Sequence, residues 1–128
     1  MKISNVIFPV VVNDFAHYKT TIDYYRRILG LPLQAEFQHA GMFVTSLGPM
    51  VIVGAEDASS LEIPRQVNAI FIVDDLEDAW RKVQPESEIL VAPESAPSGG
   101  RFVVRHTQGD KRVIEYLDLR NVARVLVG

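Results

Sequence analysis

The stretch Val67-Asn68-Ala69-Ile70-Phe71-Ile72-Val73-Asp74-Asp75-Leu76 decides how this chain is organised. Val67 to Val73 is a short run of mostly β-branched and aromatic residues, the signature of a buried strand. Asp74 and Asp75 then offer side-chain oxygens to the unpaired amides of a helix start. Leu76, Ala79, Trp80 and Val83 follow as one apolar stripe at helical spacing, and they read as core. Asp75 with Asp78 three residues on is similar to a capping box, and both acids suit the positive end of the helix dipole.

The same order opens the chain. Asn5 to Val12 reads as a strand, Asn13 and Asp14 as caps, and Phe15, Tyr18, Ile22, Tyr25 and Leu29 as the apolar face of a helix. Gly30 supplies a left-handed ending, Leu31 the contact after it, and Pro32 forbids continuation. Three short strands are expected next, Leu33 to His39, Met42 to Leu47 and Met50 to Ala55, punctuated by Ala40-Gly41 and Gly48-Pro49. Glu56 to Gln66 is polar and without periodicity, and reads as a linker.

After the second helix come strands at Glu88 to Ala92, Arg101 to His106 and Arg112 to Leu119. A flexible loop from Pro93 to Gly100 and a turn from Thr107 to Asp110 separate them. The order is thus strand, helix, three strands, linker, and the same again. We expect an α+β fold on one domain spanning 1–128: module one over about 3–56, a linker over 57–66, module two over about 67–119, and a tail over 120–128. The repeat is one of element order, because the halves do not match residue by residue. An unrelated α+β sandwich with the same elements is the alternative.

The 128 residues suit one core, and 48% hydrophobic with 23% charged residues is the balance of an ordered globular chain. A net charge of −3 gives no basic footprint for nucleic acid or an anionic membrane. The absence of cysteine excludes disulfides, thiolate metal sites and cysteine nucleophiles, and makes a reducing compartment the default. The apolar run near Met1 is too short to span a bilayer and lacks a cleavage region, so a cytoplasmic place is expected.

Three strings carry a family resemblance. Ile22-Asp23-Tyr24-Tyr25-Arg26-Arg27-Ile28-Leu29-Gly30-Leu31-Pro32 resembles the helix-one signature of the vicinal oxygen chelate superfamily (glyoxalase, bleomycin resistance protein, dioxygenase). Val67 to Leu76 resembles the strand that opens the second half of its members. Arg105-His106-Thr107-Gln108-Gly109-Asp110, leading to Val113-Ile114-Glu115-Tyr116, resembles their closing hairpin. The resemblance runs from about Asn5 to Leu119 and implies two βαβββ modules. Their mixed sheets would curl into an open barrel, with helices outside and a ligand on the concave face.

The resemblance also implies positions for a divalent metal, whose task would be to polarise vicinal oxygens of a substrate. The first-strand position falls on Ile7 (or on Val10, counted from the tyrosine pair), and the fifth-strand position on Asn68. The fourth-strand region, Met50 to Ala55, offers no ligand, although Glu56 follows it. Only Glu115 on the last strand matches. One carboxylate does not hold a transition metal, so no metal ligands and no cofactor are expected, with a divalent metal as the disfavoured alternative. A set from His39, His106 and Glu115 is the minor alternative, and surface or turn roles are favoured for His17, His39 and His106.

Strand alternation places Ile7, Pro9 and Val11, then Asn68, Ile70 and Ile72, then Val113, Glu115 and Leu117 on the concave face. Phe8, Val10, Ala69, Phe71, Ile114 and Tyr116 would pack under the helices. The candidate ligand-binding residues are Asn68, Ile7, Pro9, Ile70, Arg101 and His106, and the candidate catalytic residue is Glu115, a general base or hydrogen-bond anchor. A lone carboxylate in such a cleft must be protonated, wetted, or paired with Arg101, Arg105 or another base.

The segment Ala92 to Arg101 would be a rim over the pocket, with Arg101 after Gly99 and Gly100 placed to meet an anionic ligand, or, by preference, a plain connection. Homodimers are usual for small members, and Val122 to Val127 would pack on a partner or on its own sheet.

The expected function is small-molecule binding of the bleomycin-resistance kind without the usual metal. The alternatives are a metal-dependent lyase, isomerase or dioxygenase with non-standard ligands, a metal-free acid–base enzyme using Glu115, and a regulatory dimer with a vestigial cleft.

Overall fold

The computed structural model describes residues 1–97 and 99–120. Within them lie strands β1 (Ile3–Val12), β2 (Leu33–His39), β3 (Met42–Leu47), β4 (Met50–Ala55), β5 (Ala69–Val73), β6 (Ser87–Ala96), β7 (Gly99–His106) and β8 (Val113–Asp118). The helices are α1 (Phe15–Leu29), α2 (Glu62–Gln66) and α3 (Leu76–Val83). The tail segment Val122 to Val127 lies outside the described residues. The chain divides into two compact units, residues 8–66 and residues 1–7 with 67–128, so β1 gives its first half to one and its second half to the other.

In the unit of residues 8–66, β4 pairs in parallel with β1 from Phe8↔Met50 to Val12↔Gly54, and antiparallel β3 and β2 complete the sheet. α1 forms where the sequence predicts it. The Asp14 side chain accepts from the amide of His17, and Gly30 ends the helix in the left-handed region at φ 66°. Its inner face buries Tyr18 against Leu47 and Ile52, with Val10, Val12, Ile22, Tyr25 and Phe43 around them. The Tyr18 and Thr45 hydroxyls bond to each other inside this core.

Two sequence expectations change in this unit. Phe8 was assigned to the helix-covered face, yet it is 57% exposed, because the cluster under α1 takes Val10 and Val12 and stops short of it. The supposed linker is also structured. A 3-10 turn over Ala58–Leu61, capped by Asp57, runs into α2. Leu61 is fully buried against Val53 and Ala55, and that contact fixes a segment too short to show periodicity.

In the other unit, β5 pairs antiparallel with the first half of β1 and parallel with β8, and β7 and β6 follow antiparallel. α3 starts at Asp75, whose carboxylate accepts from the amide of Asp78 at 3.0 Å. It packs Leu76, Ala79, Trp80 and Val83 over Val73, Phe102, Val104, Ile114 and Tyr116. Trp80 meets Phe102 edge-on at 5.1 Å between ring centroids, so it is a core residue.

The loop expected over Pro93 to Gly100 is largely strand. Glu94↔Arg101, Ser95↔Gly100 and Ala96↔Gly99 pair in a tight hairpin, after register shifts on either side of Val91. Pro93 is tolerated because β6 pairs on one side only and bulges there, conditions that relieve the missing amide. Asn68 precedes β5 and does not belong to it.

Candidate functional site

One face of the second unit's sheet lies under α3. Alternation therefore puts Ile70, Ile72, Val113, Glu115, Leu117, Arg101 and Val103 on the other face. This is the phase that the sequence assigns to the ligand side for its β5 and β8 residues. Two register rows cross that face. Ile7, Ile70, Glu115 and Val103 form one, and Asn5, Ile72, Leu117, Arg101 and Glu94 the next.

Arg101 and Glu115 are diagonal neighbours between these rows. The Arg101 Nε lies 3.5 Å from Glu115 Oε1 and 3.8 Å from Glu94 Oε1, and the side chains of Arg101 and Glu115 are only 13% and 15% exposed. Nε is buried and makes no hydrogen bond. Around them Ile70, Ile72, Val103, Val113 and Leu117 are all buried.

Burial pushes the Glu115 carboxyl above its ordinary range, more than the Arg101 charge pulls it down, and Glu94 adds to the rise. The resulting group is a carboxyl inclined to keep a proton, beside a guanidinium nitrogen with an unused donor. Together they can donate to a bound acceptor, and Glu115 can give or take a proton.

The other candidates are placed as follows. Ile7 sits beside Ile70 in the Glu115 row. Pro9 belongs to the other unit, opposite Val51 on β4. The Asn68 side-chain oxygen is committed, since Oδ1 accepts from the Val113 amide at 3.0 Å while the Asn68 backbone N–H donates to the Val113 carbonyl. His106 is on the α3 side, where Nε2 is 2.9 Å from the Tyr116 hydroxyl. It thus faces away from Glu115, and the two cannot share an ion. His17 sits at the start of α1, 2.6 Å from the Asp14 carboxylate.

Glu94 was missed by the sequence reading because it lies in the segment read as loop. The signal was present in the paired charges Glu94 and Arg101 flanking the turn.

An open groove of about 750 Å3 lies in the unit of residues 8–66, between α1 and the β2–β3 pair. Phe15, Tyr18, Lys19, Arg26, Glu36 and Phe43 are among its lining residues. It exists because α1 packs on β3 and β4 and leaves the edge strand β2 uncovered. Among the described residues, the buried polar side-chain atom left without a partner is Arg101 Nε, outside this groove, so the Arg101–Glu115 pair is the stronger candidate.

No family model matches the sequence, and no curated protein matches it. Solved structures do. An uncharacterised protein from Methanosarcina mazei is similar at TM-score 0.75 and 26% identity, over 92% of this chain and 94% of that one. Methylmalonyl-CoA epimerase from Mycobacterium tuberculosis is similar at TM-score 0.70 and 13% identity, over 91% and 88%. A glyoxalase/bleomycin resistance protein/dioxygenase superfamily member from Vibrio splendidus 12B01 is similar at TM-score 0.57 and 19% identity, over 89% and 97%. The fold is the vicinal oxygen chelate fold.

A vicinal oxygen chelate fold brings the question of its metal. The residues present do not fit one. Ile7 and Val10 have no donor, the Asn68 oxygen is bonded to backbone, and Glu115 faces a fixed cation, Arg101. Among the described residues, no group of three or more histidines and carboxylates could hold a metal ion. None of their helices is long and apolar enough to cross a membrane.

Proposed function

We propose that this chain is a small-molecule-binding protein that uses the vicinal oxygen chelate fold without a divalent metal, with Glu115 and Arg101 as the polar anchor. The single observation that carries this reading is the Arg101 Nε 3.5 Å from Glu115 on a face otherwise built of Ile70, Ile72, Val103, Val113 and Leu117. Small-molecule sites are mostly apolar with a few convergent polar groups, and such a pair orients a ligand that the apolar surface holds.

A second reading has one observation in its favour. A carboxyl whose titration burial raises is suited to proton transfer, so Glu115 would serve as the acid–base group of a metal-free isomerase. The fold shared with an epimerase makes acyl-CoA thioesters reasonable test compounds, although 13% identity carries no activity over.

The chain's cysteine-free composition supports a cytoplasmic place. Tyr24, Ile28 and Leu29, each at least half exposed on α1, support pairing with a second copy, which sedimentation would test.

The test of function is thermal unfolding of the full chain against acyl-CoA thioesters and aromatic antibiotics, in EDTA and then with zinc, nickel or manganese. The reading expects a compound that raises Tm in EDTA, with the rise lost in Glu115→Leu. Stabilisation that requires metal would overturn it. Exchange of a thioester α-proton with solvent deuterium, lost in Glu115→Gln, would establish the second reading instead.

A further inference from the structure

We propose that the ligand held at Arg101 and Glu115 is an uncharged group presenting an acceptor beside a donor: a carboxamide, lactam or imide on an apolar body. The inference rests on the small-molecule reading above and names the chemistry that the site selects.

The argument starts from the buried Arg101 Nε. It is a donor without a hydrogen-bond acceptor, 3.5 Å from one carboxyl oxygen and 3.8 Å from another. A buried donor left unpaired costs roughly 1–3 kcal/mol, so a ligand oxygen that meets it gains that much. An ammonium group cannot meet it, because it has no lone pair.

Charge decides against the anion. Glu115 and Glu94 already place two carboxyls within 3.8 Å of the Arg101 Nε, so the cluster has no positive charge to spare. Adding a carboxylate would leave one buried charge unmatched, which is the arrangement that low-dielectric surroundings penalise most.

A neutral amide satisfies both partners. Its carbonyl oxygen accepts from Arg101 Nε, and its N–H donates to a Glu115 carboxyl oxygen, which accepts in either protonation state. The two protein groups lie side by side on neighbouring strands, so one planar group reaches both. The apolar residues on either side, Ile70, Ile72, Val103 and Leu117, take the hydrocarbon part.

The test is a matched set of probes on the full chain at pH 7: 2-naphthamide, 2-naphthoate, 2-naphthylmethylamine and 2-ethylnaphthalene. Calorimetry gives Kd, and the Arg101 Nε–H resonance reports whether the donor is engaged. We expect the amide to bind at least ten-fold tighter than the other three, with the Arg101 resonance shifted. Arg101→Lys keeps the charge but removes Nε, and should abolish the preference for the amide.

Naphthoate or amine binding as tightly as the amide would overturn the inference, as would an amide preference that survives Arg101→Lys. Failure of all four probes to bind would also overturn it. The broader small-molecule reading is decided separately, by the thermal screen in EDTA, which uses none of these compounds.

Discussion

Arg101 on β7 stands opposite Leu117 in register but reaches diagonally to Glu115, its Nε 3.5 Å from Oε1. The pair crosses an apolar face at a point where a lone carboxylate would be unstable. The two are close, yet Nε is left without a hydrogen bond. This is the physical origin of the functional reading. The site is stable enough to form, and it has unused hydrogen-bonding capacity.

Glu115 should make stability depend on pH in a definite direction. Folding raises its titration above the ordinary 4.5. Between those two values the folded chain holds more protons than the unfolded one, so stability contributed by this group falls as pH rises through the window. Glu115→Gln removes that loss. At pH 7 the variant should be the more stable, by about 1.4 kcal/mol for each pH unit by which folding displaces the titration. Urea unfolding of both proteins from pH 4 to 8 reads the difference, and parallel curves would contradict the assignment.

Arg101→Met should act with the opposite pH dependence. It leaves Glu115 without its cation, at a cost of about 2 kcal/mol at pH 7, below the usual figure for a buried pair because the contact is long and not fully enclosed. At pH 4, with the carboxyl protonated, the loss should shrink to below about 1 kcal/mol. A loss independent of pH would place the role of Arg101 in packing alone.

Gly99 closes the hairpin that carries Arg101. It sits at φ 136°, and a Cβ there would lie 2.4 Å from the Asp118 carbonyl oxygen. Gly99→Ala should cost at least about 2 kcal/mol, from backbone strain and from the displaced strand. Gly109 also has a positive φ, 66°, but open space around it, so Gly109→Ala should cost roughly 1 kcal/mol. Equal losses in denaturant titrations would refute the close approach.

The buried Tyr18–Thr45 hydroxyl pair supports α1. Tyr18→Phe and Thr45→Val should each cost about 1–2 kcal/mol, because each leaves one hydroxyl unpaired. The double variant should lose less than the sum, and strict additivity would show that the hydroxyls do not depend on each other.

The two helices on which the repeat rests were legible because each carries its own local signals. Asp14 and Asp75 cap them, Gly30 ends the first, and the stripes from Phe15 and Leu76 have the right period. Strand faces were legible wherever alternation is undisturbed, as at Ile70, Ile72 and Glu115. It failed at Phe8, where one face runs past the cover of its helix, a tertiary fact with no sequence signature.

The helical turns at Ala58 to Gln66 and the pairing of Glu94 with Arg101 were hidden for a different reason. They depend on one buried anchor, Leu61, and on an edge strand that tolerates Pro93, so composition pointed to loop. The Glu115 position could be read from the family pattern. Its diagonal relation to Arg101 required the register between β7 and β8.

The most direct test of the account is a carbon-13 titration of the Glu115 carboxyl in the full chain, first in EDTA and then with one equivalent of zinc. The account predicts a midpoint above 4.5 that zinc leaves in place. A midpoint at or below that value, or one that collapses when zinc is added, would contradict it.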